Sequence, residues 1–299
     1  MKPTLGFVGI GNIGEPVCRH LLDRGYELSI YDVNPEALSR LKDTSAEPAA
    51  SPETLASTSD AVLLSLPNSD VVEEVVFGEG GLEDGLSAGK TVIDTSSSKP
   101  SSTRSIAKRL AAGGIDMLDA PVSGGVLRAR EGALAVMVGG KRDVYEKYRE
   151  VLESFGERIF YVGDHGAGHL VKALNNLLSA TTLASASEAT LVAQRAGVAP
   201  DKFVEIINAS NGRSYSTEVK FPRYILNRAF DDGFALALMN KDMKIALEAA
   251  AEMEFPMPIG SALAQIWHIA VAHGYGPENH TAIYAFLEDM LGDGGNLEP

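Results

Sequence analysis

The chain has one cysteine, Cys18, in 299 residues. An internal disulfide is therefore excluded, and the usage fits a reducing compartment. Cys18 lies in the first expected helix, where an inert buried thiol is the ordinary reading. Basic residues are also short: 26 Lys and Arg stand against 40 Asp and Glu, a formal net charge of −14. Nucleic acid and anionic membranes are gripped by Lys and Arg clusters, so neither is expected as a partner; a small anionic substrate needs only a few local cations and a helix N-terminus. Long apolar runs are missing too. No basic stretch leads into an apolar core of the signal-peptide type, and Lys172, Asn175, Asn176, Glu188, Gln194 and Arg195 interrupt the longest helical stretch. No membrane span is expected, and a cytoplasmic location is. The six histidines are scattered, and His165 and His169 lack a matching acidic or cysteine cluster, so no metal is expected. A serine-hydrolase elbow is absent as well.

What is present suggests two domains, since this length exceeds one small core, and 45% hydrophobic with 22% charged residues is ordinary for a globular chain. Up to about residue 163, short β-type runs alternate with amphipathic segments. The strand candidates are 5–8, 28–31, 61–65, 91–94, 117–120, 133–138 and 159–162, and the alternation predicts parallel strands joined by crossover helices. One helix is expected to start near Ser51, with Pro52 in its first turn. Beyond Gly163 the β signal stops and helices remain, broken by glycine and proline. The Gly163–Gly168 segment reads as a hinge. The last residues, from Gly292, are too polar and glycine-rich to pack and are expected to fray.

Gly9-Ile10-Gly11-Asn12-Ile13-Gly14 follows the first strand and opens a helical run from Ile13 to Arg24. Glycines there permit a tight turn and let a pyrophosphate approach backbone N–H groups at a helix N-terminus. Asp32 ends the second strand, where a carboxylate accepts hydrogen bonds from an adenosine ribose and repels a 2′-phosphate; this favours NAD over NADP, and no neighbouring basic side chain opposes it. Each feature alone also reads as a turn. Ser65-Leu66-Pro67-Asn68 and Asp94-Thr95-Ser96-Ser97-Ser98 follow later strands at their C-terminal ends, where ligands collect in an open parallel sheet. In Asp119-Ala-Pro-Val-Ser123-Gly124-Gly125, a hydroxyl and backbone N–H groups suit a carboxylate, although the segment by itself is a loop.

From His169 to Ala196 there is no glycine or proline. One long helix is predicted, and spacings of three and four put Lys172, Asn175, Asn176 and Ser179 on one stripe. Alone, this is a solvated face. Beside a nucleotide fold, Lys172 becomes a proton donor or acceptor and Asn176 a neutral hydrogen-bonding group for substrate. Lys241 and Asp242, at the start of a predicted helix 241–254, read either as site residues or as a solvated ion pair. The small-residue surface of the long helix suits close helix pairing, so a homodimer or homotetramer is expected.

Four segments in this order resemble the β-hydroxyacid dehydrogenase family, which includes 3-hydroxyisobutyrate and 2-(hydroxymethyl)glutarate dehydrogenases: Gly9–Gly14, Asp119–Gly125, Gly166-Ala-Gly168 with Lys172 and Asn175-Asn176, and Lys241-Asp242. The resemblance spans residues 4 to about 290. It implies an α/β fold with a Rossmann-type domain at 1–163, a connecting helix at 164–196, an all-α substrate and oligomerisation domain at 197–292, and a flexible tail at 293–299. It implies NAD(P)-dependent interconversion of a small β-hydroxy acid with its semialdehyde or keto acid. Lys172 is then the acid/base; Ser123, Gly124 and Gly125 hold the substrate carboxylate; Asn176 orients the substrate; and Asp242 contacts it. Gly9, Ile10, Gly11, Asn12, Ile13, Gly14, Asp32, Leu66, Pro67, Ser97 and Lys241 bind the cofactor. Two departures from the family pattern stand out. Arg128 and Arg130 occupy a stretch that is usually small, and they either point outward, which changes nothing, or place a cation in the pocket for an extra negative charge on the substrate; the 210–215 loop, similar to the 2-(hydroxymethyl)glutarate branch, offers Arg213 as a second carboxylate binder. An imine reductase on the same scaffold and a catalytically silent nucleotide-binding scaffold or sensor are the competing readings.

Overall fold

The computed structural model describes residues 2–290; the fraying expected of the last residues lies outside them. Two compact units divide the chain, one ending at Lys172 and the other starting at Ala173.

The first unit runs β1 Leu5–Val8, α1 Gly14–Asp23, β2 Leu28–Tyr31, α2 Pro35–Leu38, β3 Glu47–Pro48, α3 Pro52–Thr58, β4 Ala61–Leu64, α4 Ser69–Phe77, α5 Leu82–Gly85, β5 Thr91–Asp94, α6 Pro100–Ala112, β6 Asp116–Asp119, β7 Val122–Ser123, α7 Gly125–Arg130, β8 Leu134–Gly140, α8 Arg142–Leu152 and β9 Gly156–Gly163. The sheet order is β3-β2-β1-β4-β5-β6-β8-β7, with β9 on β8. β1, β4 and β5 are buried throughout. That pattern follows from helices covering both faces of a parallel sheet. Alternate residues feed two cores: Phe7, Leu63, Ile93 and Leu118 on one side, Val8, Leu64, Val92 and Met117 on the other. Ser51 caps α3 by accepting from the Thr54 N–H at 3.1 Å, with Pro52 in the first turn.

The expectation of parallel pairing fails at one edge. β8 pairs antiparallel with both β6 and β7. The connection between β7 and β8, residues 124–133, is too short for a full crossover and returns the chain in the opposite direction.

Register brings the candidate loops together. Val8, Leu64, Asp94 and Asp119 are cross-strand partners in succession, so the segments beginning at Gly9, Ser65, Thr95 and Ala120 leave the same C-terminal edge of the sheet.

The long helix, α9 Ala167–Arg195, holds 29 residues, about 43 Å of rise, and the division between the units falls inside it. The second unit adds α10 Pro200–Asn208, a π-helical segment Ser216–Ile225, α11 Leu236–Glu252, α12 Pro258–Ala270 and α13 Ile283–Met290. Its core gathers Leu183, Phe221, Met239, Met243, Trp267 and Phe286. α11 begins at Leu236 rather than near residue 241: the Leu236 and Ala237 N–H groups donate to Glu278 O and Gly276 O, and this loop pairing starts the helix early. Lys241 and Asp242 therefore sit in its second turn. Among the described residues, no helix is long and apolar enough to cross a membrane.

Candidate functional site

The glycine turn is built for close approach. Gly9 has φ +98°, and a Cβ there would lie 2.3 Å from Ser65 O; one on Gly14 would lie 2.0 Å from Gly9 O. Both positions exclude side chains for internal reasons. Gly11 differs, since a Cβ on it would meet nothing within 4 Å. The protein's own packing does not explain this glycine, whereas a ligand lying on the turn does. No side chain caps α1 at Ile13. In its first turn the Glu15 N–H donates to Gly11 O at 3.0 Å and Pro16 has no N–H, so what the helix offers an anion is its positive end at Gly14. Asp32 Oδ2 accepts from the Ile10 N–H at 2.7 Å and Oδ1 from the Asn34 N–H at 2.8 Å, so the carboxylate is fixed beside the turn. These features fit a dinucleotide.

Further along the edge, the Leu66 N–H donates to Ser96 Oγ at 2.8 Å, and Asp94 accepts from the Ser96 N–H at 2.9 Å and the Ser98 hydroxyl at 3.1 Å. Ser97 lies half-buried between them. Gly124 and Gly125 after Ser123 have φ +135° and +69°, conformations that keep the backbone bare at the start of α7. Arg128 turns outward to Glu131 at 3.2 Å and Glu157 at 2.5 Å, and Arg130 is exposed. Neither arginine needs a substrate charge to explain it.

The start of α9 is held by Asp119, the last residue of β6. Its Oδ1 accepts from the Gly166 N–H at 2.8 Å and its Oδ2 from the His169 N–H at 3.1 Å. This is an N-cap supplied from a distant strand, with an anion at the positive end of the helix. A Cβ on Gly168 would lie 2.3 Å from Met137 O, so glycine is required for the helix to seat against the sheet. Lys172, half-buried, follows one turn after His169.

In the second unit, Asn176 is 6% exposed and Asp242 1%. Asn176 Nδ2 donates to Asp242 Oδ2 at 2.6 Å, while Asp242 Oδ1 lies 3.2 Å from Lys241 Nζ and has no hydrogen bond among the described residues. Ser179 accepts from Lys220 Nζ at 3.0 Å, and Lys220 Nζ lies 2.8 Å from His280 Nε2. The solvated reading of the stripe thus fails at Asn176 and Ser179, though Asn175 is exposed. Burial and the Lys220 charge push the His280 pKa down to about 3. Burial raises that of Asp232, 3.4 Å from His280. Arg213 is exposed on its loop.

The family model described as the NAD-binding domain of 6-phosphogluconate dehydrogenase matches residues 4–163. A second, described as NAD-binding of NADP-dependent 3-hydroxyisobutyrate dehydrogenase, matches residues 166–287. The 2-(hydroxymethyl)glutarate dehydrogenase of Eubacterium barkeri is 39% identical over 288 residues, covering 96% of both chains. The chain belongs to the β-hydroxyacid dehydrogenase family. The Mycobacterium tuberculosis 3-hydroxyisobutyrate dehydrogenase solved with L-serine superposes with a TM-score of 0.89 at 28% identity, covering 96% of this chain and 99% of that one. A Streptomyces aurantiacus imine reductase is more distant, with a TM-score of 0.65 at 22% identity over 95% and 99% of the two chains, and shares the fold. The family places this chain among NAD-binding oxidoreductases acting on CH–OH groups of small substrates.

Sequence reasoning did not single out Ser96, Thr103, Asp119 or His169 as individual site residues. Each looks like a turn former or a helix surface residue. Their common signal is burial: Ser96 is 4% exposed, Thr103 and His169 1%, and Asp119 0%.

Proposed function

We propose that this protein reversibly oxidises a small β-hydroxy acid to its semialdehyde or keto acid with NAD, using Lys172 as the general acid/base. The observation that supports this most is the capping of α9 by Asp119. It ties the helix bearing Lys172 to the strand edge from which the glycine turn and the Ser97 loop also depart.

The chemistry NAD would supply when bound is acceptance of a hydride from the carbinol carbon. Residues Gly9 to Gly14 hold the pyrophosphate with backbone N–H groups, Asp32 holds the adenosine ribose, and Leu66, Pro67 and Ser97 border the cofactor. Ser123 with the Gly124 and Gly125 N–H groups binds the substrate carboxylate. Lys172 takes the hydroxyl proton during oxidation and returns it to the carbonyl oxygen during reduction. Asn176 orients the substrate, Asp242 keeps Asn176 in place and contacts the substrate, and Lys241 serves the cofactor. The E. barkeri relative's name specifies a dicarboxylate. Arg213, exposed on the matching loop, is our candidate for the second carboxylate, and unchanged selectivity for a dicarboxylic substrate in Arg213→Ala removes that role.

A panel of β-hydroxy acids and semialdehydes with NAD or NADP, followed at the nicotinamide absorbance, tests the reading. Turnover of a hydroxy acid with NAD is expected. Reduction of cyclic imines alone, or no turnover, overturns it.

We also assign the protein to the cytoplasm as a homodimer or homotetramer. Exposed Leu178 and Val192 on α9, 64% and 67% accessible, support pairing along that helix. A purely monomeric species at micromolar concentration in a sizing experiment contradicts it.

A further inference from the structure

His169 is buried completely at the sheet edge and has no part in the chemistry above. Its Nε2 lies 3.1 Å from Ser96 O. A carbonyl oxygen only accepts, so this nitrogen carries hydrogen and donates. Its Nδ1 lies 2.7 Å from Thr103 Oγ1, a hydroxyl that also lies 3.1 Å from Lys99 O. The backbone N–H of the same residue is one of the two that Asp119 caps. Three attachments therefore converge on one residue, one helical turn before Lys172.

The Ser96 end is equally fixed. Ser96 is joined at all three of its polar groups: N–H to Asp94, Oγ to the Leu66 N–H, and O to His169. The neighbouring residue, Ser97, stands in the segment assigned to the cofactor. The imidazole is thus a direct bond between the Leu66 and Ser97 loops on one side and the helix carrying Lys172 on the other. With Asp94, Ser96, Thr103, Asp119 and His169 all buried and hydrogen-bonded, the network allows little displacement.

We infer that His169 is a positioning residue for hydride and proton transfer: its Nε2–H bond to the Ser96 carbonyl sets the Lys172 helix against the loop assigned to the cofactor. This rests on the dehydrogenase reading. It adds a residue that contacts neither substrate nor cofactor yet governs the rate, because misplacing reacting groups by about 1 Å costs on the order of 100-fold.

Two substitutions separate the two ends of the ring. In His169→Gln the side-chain amide reaches roughly where Nε2 lies and retains the donor to Ser96 O. In His169→Asn it reaches only where Nδ1 lies, keeping Thr103 and losing Ser96. The Gln variant is expected to hold kcat within about threefold of wild type. The Asn variant is expected to lose about 10- to 100-fold in kcat, with KM for NAD and calorimetric NAD binding within about threefold, and to show a larger deuterium isotope effect on kcat. Equal kcat in the two variants, or loss of kcat, NAD binding and Tm together in Asn, overturns the inference. Hydrogen exchange of the protein without substrate provides an independent readout: the Leu66 and Ser96 amides should exchange about tenfold faster in Asn than in Gln. If the wild type turns over nothing on the panel, the dehydrogenase reading fails, and this exchange comparison alone then decides the tether. Equal exchange overturns it even if the enzyme is active.

Discussion

Asn176 donates its side-chain N–H to the buried Asp242 carboxylate at 2.6 Å, bridging α9 and α11 within the second unit. The bond turns the stripe inward, since neither group is stable in a dry interface without the other. Asn176→Ala removes a donor from a carboxylate that is 1% exposed. A loss of about 2 kcal/mol in unfolding free energy is expected by urea titration. Asn176→Asp, which places two carboxylates together, should be worse; equal stabilities would contradict the assignment.

The Asp119 cap gives a second test. Asp119→Ala leaves the Gly166 and His169 N–H groups without an acceptor at a buried helix start. We expect a loss of about 3 kcal/mol and a Tm fall of several degrees, with Asp119→Asn recovering part of it through its one oxygen. An unchanged Tm in Asp119→Ala contradicts the cap.

Asp32 is fixed by its own bond to the Ile10 N–H, so removing it affects both the turn and the ribose contact. Asp32→Ala should weaken NAD by roughly tenfold, about 1.4 kcal/mol, and narrow or reverse the preference over NADP, as read by calorimetric titration of both. A selective loss of NADP binding contradicts the ribose role.

Acid should destabilise the second unit through His280. Its folded pKa of about 3 lies below the ordinary value of 6.5, because burial and Lys220 disfavour the charged ring, while Phe234 O partly favours it. Between those values the unfolded chain binds the extra proton, so stability falls as pH drops from about 6.5 towards 3 and is retained above 6.5. The slope from one group is at most about 1.4 kcal/mol per pH unit. Asp232, whose pKa burial raises, opposes the trend at the acid end. Denaturant titrations across this window should show a flatter acid limb in His280→Gln; an identical slope rejects His280 as the source.

The strands at 5–8, 28–31 and 91–94 were legible because each is an apolar run bounded by turn residues, and they occur at those positions. Two-residue β3 and β7 carry no periodicity, and the reversal at β8 depends on a connection length that local pattern does not encode. The long helix was legible from its lack of breakers. Whether its stripe faced water depended on a carboxylate 66 residues away, at Asp242. Asp119 and His169 were hidden for the same reason: their bonds to Gly166, Ser96 and Thr103 join residues 47, 73 and 66 apart, and each partner alone reads as loop or helix surface.

Single-turnover hydride transfer in Lys172→Ala, with NAD affinity measured on the same preparation, tests the acid/base role of Lys172. The rate is expected to fall by at least about 1,000-fold with NAD binding within a few-fold of wild type. A rate within tenfold of wild type would contradict it.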